Sequence, residues 1–426
     1  MSSSTTTGQA EERRRQLLAQ RAAGDEPYKT VPFSGESACG RLKALSKRAD
    51  GSRELHIVID GAERHVMTRA DISDRVDALK RGDIIACALC IERGLPVATD
   101  VVTTTPRMRR PVAVKTDAVA SMLLDPAIAS RLRARSKIVS AMRRHLESLD
   151  FTEVETRVAH PLGHCGAAAK PMIVHRAQRT AQLTLRVATE VELKRLVIGG
   201  MDRVFEIGRV FRDEGDDDTH QPEFTSLELY QSHLALGAGI KLAVSLMRIA
   251  ISAVEDSPLR EYPFRVATMR ELVSSAGIDV ISGVEPSQRE VDAVHGMVAG
   301  AMSYGAALEA LFDKLVAPRL TGVTIVAKLP RSSSPLSRPC SDQLADRFEL
   351  YVDDVEIMNG CAEQTDPDAL RAALSAQPGG LTQLGDQLCR DTELGMPPTF
   401  GLGIGVDRLV AAILGERKIT SVMALR

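Results

Sequence analysis

A hairpin near the middle of the chain carries most of the side chains that could do chemistry. An apolar strand ends at Arg212, the chain turns after Gly215, and a second strand leads it back. A hairpin of this kind can present a guanidinium group to a phosphate and an aromatic face to a planar base. The stretch 212–228 holds six chemically useful residues: Arg212, Glu214, His220, Glu223, Phe224 and Glu228. An ordinary hairpin with a charged tip does not require so dense a set.

Length and composition bound the class of protein. A chain of 426 residues with 44% hydrophobic and 26% charged residues can form two or three globular domains. It has no apolar run of membrane-spanning length and no apolar N-terminal signal, so we expect a cytoplasmic protein without a membrane partner. The net charge of −2 argues against a generally basic nucleic-acid coat. The seven cysteines suggest no disulfide framework, and Cys87 and Cys90 are interpreted as two core thiols of a strand.

The spacing of apolar residues predicts the helices and strands around the hairpin. Residues 1–30 predict a flexible and partly helical extension. Residues 31–110 contain short, regularly spaced apolar runs, which are typical of a small β-barrel. After a basic linker, helical spacing predicts helices at 126–149, 238–255 and 288–316. A β-rich end then leads into a glycine-rich passage from strand to helix at 401–414.

Two of these features together resemble a known family. The hairpin resembles motif 2 of the class II aminoacyl-tRNA synthetases, and residues 401–409 resemble motif 3, in which a glycine-rich strand feeds a helix that bears Arg408. A glycine-rich run alone is a weak signal, but its pairing with this hairpin is a strong one. Segments 166–171, 185–200 and 356–363 are similar to the lysine-specific enzymes of the aspartate, asparagine and lysine subgroup.

The resemblance implies an α+β fold with an N-terminal OB-type barrel that binds the anticodon. A catalytic domain over residues 111–426 follows, with an antiparallel sheet flanked by helices. It also implies a homodimer that activates lysine, or a close cationic analogue, with ATP and Mg²⁺. The adenylate forms with release of pyrophosphate, and the aminoacyl group passes to tRNA.

Residue roles follow from the same resemblance. Arg212 would hold the α-phosphate and the amino-acid carboxylate, as the two charges to be stabilised in adenylate formation. Arg408 would hold the γ-phosphate end and stack on adenine from the side opposite Phe224. His220 would contact the bent triphosphate, and Glu214 would read the adenine amino group.

Two further sets of acidic residues complete the predicted site. Glu349 and Glu356 are expected to bind Mg²⁺, since oxygen ligands suit a hard cation. Glu363 and Tyr230 would receive the substrate side-chain ammonium, and Glu190 would bind the α-amino group. The predicted lysine site comprises Gly166, Glu190, Glu228, Tyr230, Asn359 and Glu363.

The sequence departs from the family at several points. Motif 1 has Arg157 where the family has an interfacial proline. The pocket neighbours that differ are Cys165, Met358, Cys361 and Phe400. One interpretation is compensating repacking, in which Phe400 replaces volume lost at Cys361; the other is a pocket reshaped for a modified or longer cationic amino acid.

Two departures concern the nucleic acid. Residues 35–149 contain no Phe, Tyr or Trp, whereas barrels that read single strands stack bases on aromatic rings. Arg53, Arg64 or Arg69 could stack instead. The hairpin tip, 216–218, consists of three aspartates, which would repel a phosphate backbone unless the loop swings aside.

Three functions therefore compete. The first is a lysyl-tRNA synthetase. The second is a tRNA-independent ligase that passes a lysyl-type adenylate to a small molecule or a protein side chain, and the altered tip, barrel and pocket favour it. The third is a non-catalytic RNA-binding paralogue, against which the complete set of arginines and glutamates argues.

Overall fold

The fold is known from a computed structural model. It describes residues 37–59, 62–81, 83–92, 95–105, 125–163, 165, 169–175, 182–275, 277, 287–298, 303–377 and 379–424. The predicted extension at 1–30 lies outside the described residues. The chain forms two compact units, residues 1–133 with 423–426 and residues 134–422. None of the described helices is long and apolar enough to cross a lipid bilayer.

The first unit contains a closed five-stranded barrel. Its strands are β1 (Ser37–Lys47), β2 (Arg53–Ile59), β3 (Ala62–Thr68), β4 (Ile84–Glu92) and β5 (Leu95–Thr105). They close in the order β1-β2-β3-β5-β4, and β3 and β5 are the parallel pair. Period-two alternation fills the interior, because Leu55 and Ile57 point inward and are fully buried while His56 points outward. A short helix, α1 (Ser73–Asp77), follows β3.

The thiols of this barrel differ in their surroundings. Cys87 lies in the barrel core, and burial raises the pKa of its thiol to about 12. Cys90 is half-buried and lies beside Arg69 and Glu92 instead of inside the core. The expectation of two core thiols is therefore correct for Cys87 only.

The second unit is built on an eight-stranded sheet in the order β12-β13-β14-β15-β16-β11-β10-β6. All its neighbours are antiparallel except the pairs β12–β13 and β6–β10. Its strands are β6 (Thr152–Glu153), β10 (Arg203–Phe211), β11 (Glu223–Ser232), β12 (Phe264–Thr268), β13 (Val323–Ala327), β14 (Arg347–Val352), β15 (Val355–Ala362) and β16 (Thr399–Gly405). Strands β7 (Ala159–His160), β8 (Ile173–Val174) and β9 (Leu183–Leu185) form a small second sheet.

Helices flank the large sheet. They are α2 (Pro126–Ser148), α3 (Glu190–Ile198), α4 (Leu236–Ser252), α5 (Met269–Ser275), α6 (Gln288–Gly296), α7 (Tyr304–Leu311), α8 (Pro367–Ser375), α9 (Gln383–Thr392) and α10 (Val406–Ile413). The barrel and this sheet confirm the predicted α+β fold class. The helix predicted over 288–316 is in fact two helices. Ser287 and Ser303 each accept a hydrogen bond from a backbone N–H of the following turn, so each serine caps the start of a separate helix.

Candidate active site

One cavity of about 590 Å³ collects most of the predicted site residues of the second unit. Those that line it are Glu190, Arg212, Glu214, His220, Phe224, Glu228, Tyr230, Glu356, Asn359, Glu363 and Arg408. Glu349 lies next to this lining and hydrogen-bonds to Asn359. Gly166 lies outside the described residues. Side chains quoted from five separate stretches of sequence are thus neighbours in space.

Strand alternation brings these residues to one face of the sheet. Glu228 and Tyr230 lie two residues apart on β11 and are register partners of Gly403 and Gly401 on β16. A Cβ atom at Gly401 would collide with Glu363 Oε1 and with the ring of Tyr230. Gly401 of motif 3 therefore leaves room for the carboxylate and the phenol that converge there.

The same alternation corrects the expected repacking of the pocket. Cys361 is the register partner of Gly401 and lines the cavity, whereas Phe400 is the partner of Ala362 and points to the opposite face. Phe400 packs against Gly239 of α4 and stacks on Phe348 with a centroid distance of 6.2 Å. The idea that Phe400 fills the space beside Cys361 is wrong, because one step along a strand reverses the direction of the side chain.

The other two substituted neighbours also lie away from the cavity lining. Met358 is buried and is the register partner of Ile404, and Cys165 packs in an apolar cluster with Val191 and Leu388. Cys361 is therefore the substituted neighbour that borders the candidate substrate site. Burial raises the pKa of its thiol, which lies 3.4 Å from Glu363 Oε1.

The two predicted catalytic arginines are held by backbone carbonyl groups. Arg212 Nε donates to the carbonyl of Val187 at 3.1 Å, and its guanidinium carbon lies 5.3 Å from the centroid of Phe224. Arg408, on α10, donates to the carbonyls of Thr219 and Glu356, both at 3.1 Å. These contacts hold both cations in place without neutralising them, so they remain able to bind an anion.

All three aspartates of the hairpin tip have polar partners. Asp216 accepts a hydrogen bond from Gln221, and Asp218 forms a 2.9 Å ion pair with Lys418. Asp217 Oδ1 accepts from the backbone N–H groups of Thr219 and His220 at 2.7 and 2.8 Å. Those backbone bonds, with the His220 ring, hold the pKa of Asp217 well below its usual value. The tip is thus a folded turn in which Lys418 offsets the charge of Asp218, while Asp216 and Asp217 stay negative.

The turn also orders a chain of polar groups toward Arg408. His220 Nδ1 lies 3.0 Å from both oxygens of Asp217, and its Nε2 lies 2.8 Å from a terminal nitrogen of Arg408. An aspartate that bonds one ring nitrogen fixes the orientation of the imidazole. His220 and Arg408 therefore face the same part of the cavity as a unit.

The two glutamates predicted to bind metal converge on one amide group. Asn359 Nδ2 lies 3.3 Å from Glu349 Oε1 and 3.4 Å from Glu356 Oε1. Burial, and then the charge of Glu356, raise the pKa of Glu349 to about 7. Arg347 donates to Glu349 Oε1 at 2.6 Å and is the compensating cation. Two carboxylates with this mutual repulsion form a donor set that suits a hard divalent cation.

Buried carboxylates collect at the other end of the cavity. Burial raises the pKa of Glu228 and that of Glu363 to about 7 each, although the backbone N–H of Thr189 opposes the shift at Glu228. Burial also raises the pKa of Tyr230 well above its usual value, so this phenol stays protonated. Lys194 lies 2.5 Å from Glu363 Oε2 without the angle of a hydrogen bond, so the contact is an ion pair.

Comparison with known proteins agrees with this geometry. The family of tRNA synthetases class II (D, K and N) matches residues 114–425. The chain belongs to this family. The resemblance inferred from the hairpin and the glycine-rich strand is therefore confirmed.

Several relatives in this class II family are named lysine–tRNA ligases. The one from Nostoc punctiforme is 36% identical over 71% of this chain and 58% of its own length. Those from a Roseiflexus species and from Parasynechococcus marenigrum are 35% and 38% identical over 71% of this chain, and over 66% and 64% of their own lengths. The chain thus spans 58 to 66% of the length of these relatives.

Of the three barrel arginines expected to stack on bases, Arg53 and Arg69 are paired with carboxylates and Arg64 is exposed. Arg53 is buried and donates twice to Asp77 at 2.7 Å, and Arg69 pairs with Glu92 at 2.8 Å. On the outer face of the β2–β3 hairpin, the rings of His56 and His65 lie 4.3 Å apart. Arg53 and Arg69 are thus held by carboxylates, and imidazole rings are the planar groups on that face.

Those histidines belong to a group of ligand-type side chains. Glu54, His56 and His65 place one ligand atom each within 4.8 Å of one another. However, Glu54 already pairs with Arg48 at 3.1 Å and with His65 at 3.1 Å. The group is therefore an ion-pair cluster on the surface of the barrel.

Two residues that contact the site were missed in the sequence. Arg347 binds Glu349 and Asn359, and Lys194 binds Glu190 and Glu363. The only sequence signal for Lys194 was its place four residues after Glu190 on a predicted helix, where the two side chains are neighbours. Arg347 lies on β14 two residues before Glu349, and its other partner, Asn359, lies on the neighbouring strand β15, so only the tertiary structure brings the three together.

Proposed function

We propose that this chain activates lysine with ATP, forms lysyl-adenylate and pyrophosphate, and transfers the lysyl group to tRNA. The observation that carries the proposal is a single cavity with two functions. Arg212 and Arg408 supply positive charge at one end, where His220 lies beside Arg408, and Glu190, Glu228 and Glu363 supply carboxylates at the other. A polyanion and an amino acid with a cationic side chain fit this arrangement together.

The arginine end would carry the first step. The substrate carboxylate attacks the α-phosphorus, the new oxygen–phosphorus bond forms, and the bond to the pyrophosphate oxygen breaks. Arg212 would stabilise the charge that collects at the α-phosphorus, while Arg408 with His220 would hold the departing phosphates. Phe224 would support the adenine ring and Glu214 would accept from its amino group.

Magnesium would be held by Glu349 and Glu356. Its chemistry is to neutralise phosphate charge and to orient the phosphates for in-line displacement. The two carboxylates contribute oxygen donors, and Arg347 keeps Glu349 paired when no cation is present.

The carboxylate end would select the amino acid. Glu363 and Tyr230 would receive the side-chain ammonium, Glu190 would bind the α-ammonium, and Glu228 with Asn359 would complete the wall. An uncharged side chain would leave a buried carboxylate unpaired, which is a large penalty.

The raised carboxyl pKa values predict a pH dependence of lysine use. Glu228 and Glu363 titrate near pH 7 in the free protein. A carboxyl with that pKa is ionised in about nine of ten molecules at pH 8 and about one of ten at pH 6. Binding of an ammonium needs the ionised form, so kcat/KM for lysine should fall by about tenfold or more from pH 8 to pH 6.

The measurement is ATP–pyrophosphate exchange against pH at limiting lysine. The kcat/KM for ATP at saturating lysine serves as the control, and a flat lysine profile would contradict the assignment.

Two assays test the proposed activity. Lysine-dependent ATP–pyrophosphate exchange reports activation. If no cationic amino acid supports exchange, both the synthetase and the tRNA-independent ligase are ruled out. Transfer of labelled lysine to total tRNA reports the acceptor. Robust exchange without charging would favour the second candidate, a ligase that passes the adenylate to a small molecule or a protein side chain. The barrel face without Phe, Tyr or Trp is the observation that favours this alternative.

The proposed homodimer is supported by the surface near motif 1. Arg157 is exposed there, and the apolar side chains of Leu149, Val158 and Ile173 are also exposed. Exposed apolar side chains of this kind can be covered by a second copy of the chain. Light scattering of the full chain would measure the oligomeric state.

A further inference from the structure

A lysine of the chain itself holds the carboxylates at the lysine end of the cavity. Lys194 lies on α3, one turn after Glu190, and 2% of its surface is exposed. Its Nζ lies 2.6 Å from Glu190 Oε1 and 2.5 Å from Glu363 Oε2. Both glutamates line the cavity, whereas Lys194 is not among the described residues of the lining. The ammonium group therefore reaches the two carboxylates from the protein side.

Lys194 leaves one oxygen of each carboxylate for another partner. Glu363 Oε1 is the oxygen beside Gly401 and 3.4 Å from Cys361 Sγ, and it is the one that does not pair with Lys194. The ring of Tyr230 borders the same glycine, with its centroid 5.9 Å from Lys194 Nζ. A substrate ammonium placed there would meet a carboxylate oxygen whose partner oxygen is already fixed.

The count of charges decides what this end of the cavity accepts. Glu363 is buried and the Glu190 side chain is 26% exposed, and a cation between two carboxylates this close together favours their ionised forms. Lys194 supplies one positive charge to Glu190 and Glu363, and Glu228 adds a third carboxylate beside them, so this end keeps negative charge for the two ammonium groups of a lysine substrate. A side chain with one ammonium group neutralises that charge, and a neutral side chain does not.

We propose that Lys194 is a positioning residue that determines the amino-acid specificity of this site. It pairs with Glu190 and Glu363 and orients both carboxylates, so that the site takes an amino acid with one side-chain ammonium group. The role deepens the proposed activation of lysine and rests on it. Lys194 acts through the two glutamates and has no contact of its own with the substrate.

The titratable groups around the pair are consistent with this role. Burial alone would lower the pKa of Lys194, but the charges of Glu190 and Glu363 outweigh burial and raise it. Lys194 in turn opposes the effect of burial on the pKa of Glu363. Helix α9 also packs on α3, but its Asp391 pairs with Arg195 at 2.5 Å. Among the residues that the structure describes, Glu228 and Tyr230 of β11 and Cys361 of β15 also face the pair.

Three substitutions at one position separate charge from packing. Lys194→Met keeps length without charge, Lys194→Gln keeps hydrogen bonding without charge, and Lys194→Arg keeps charge. In ATP–pyrophosphate exchange at pH 7, the Met and Gln variants should raise KM for lysine by about tenfold or more, with KM for ATP nearly unchanged. The Arg variant should recover most of that loss.

The pH profile and an added amine test the mechanism directly. Without Lys194, the remaining carboxylates ionise at higher pH, so the pH below which kcat/KM for lysine falls should move up by about one unit or more. In Lys194→Ala, millimolar ethylammonium should restore part of the lysine use by entering the space of the lost side chain. In the unsubstituted chain the same amine should only compete with lysine.

The outcomes are separable from failure of the proposed function. If the unsubstituted chain shows no exchange with any cationic amino acid, the proposed activity is wrong. If that chain activates lysine but the Met and Gln variants match it in KM and pH profile, the role of Lys194 is wrong. Thermal stabilisation by ATP reports folding in every variant. Loss of this stabilisation in the Met, Gln and Arg variants alike would make Lys194 a structural residue and overturn the proposal.

Discussion

Arg212→Ala is expected to lower the rate of lysine-dependent ATP–pyrophosphate exchange by about 10³-fold or more. The guanidinium group is held by the carbonyl of Val187 and by the face of Phe224, and neither contact neutralises it. Such a preorganised cation stabilises charge that develops in the transition state, and loss of one comparable group typically costs about 10²-fold to 10⁵-fold in rate. The readout is kcat for exchange at saturating lysine and ATP.

Arg209→Ala is the matched control for this variant. Arg209 lies three residues earlier, on strand β10 of the same hairpin, and its exposed side chain pairs with Glu223 at 3.5 Å. Its removal takes the same charge from the same hairpin without reaching the cavity. Equal losses in the two variants would mean that net charge or folding, and not the placement of Arg212, explains the effect.

Glu363→Gln is expected to raise KM for lysine by about 10²-fold or more and to leave KM for ATP nearly unchanged. The substitution conserves volume and removes the charge of a side chain that is 3% exposed. Breaking a buried ion pair costs about 3–5 kcal/mol, which corresponds to this range of affinity. Lys194 keeps Glu190 as its other partner, so the effect should be on substrate more than on folding.

A comparison of lysine with norleucine tests whether the effect of Glu363→Gln is specific to the side-chain ammonium. Norleucine has the length of lysine but no side-chain ammonium, so the unsubstituted chain should strongly prefer lysine. Glu363→Gln should reduce that preference by lowering lysine use alone. Glu393→Gln, at a side chain that is 56% exposed and 3.5 Å from Arg371, is the control. An unchanged KM for lysine in Glu363→Gln would show that another group reads the side chain.

The hairpin shows how far local sequence could predict this site. Arg212, Glu228 and Tyr230 were placed correctly in one cavity because strand alternation and register follow from residues close in sequence. The sequence was less informative about which side chains of neighbouring strands point to the same face of the sheet. Cys361 and Phe400 were treated as neighbours in one pocket, yet they point to opposite faces.

The tip of the hairpin gives a second example. Three adjacent aspartates predicted a loop that repels phosphate, but an aspartate that is paired with a cation repels phosphate less. The partner of Asp218 is Lys418, which follows α10 and lies far away in sequence. The order of residues alone contains no sign of that pairing.

The sequence by itself determined the family and the α+β fold, and it predicted the residues that would bind a phosphate and an ammonium group. These depend on motifs whose members are near one another along the chain. Tertiary structure alone decided which charges are paired. It buried Lys194 between Glu190 and Glu363, joined Asp218 to Lys418, and turned Phe400 away from the cavity. The physical reason is that ionisation and packing depend on distance and burial in space, and those are set by contacts between distant parts of the chain.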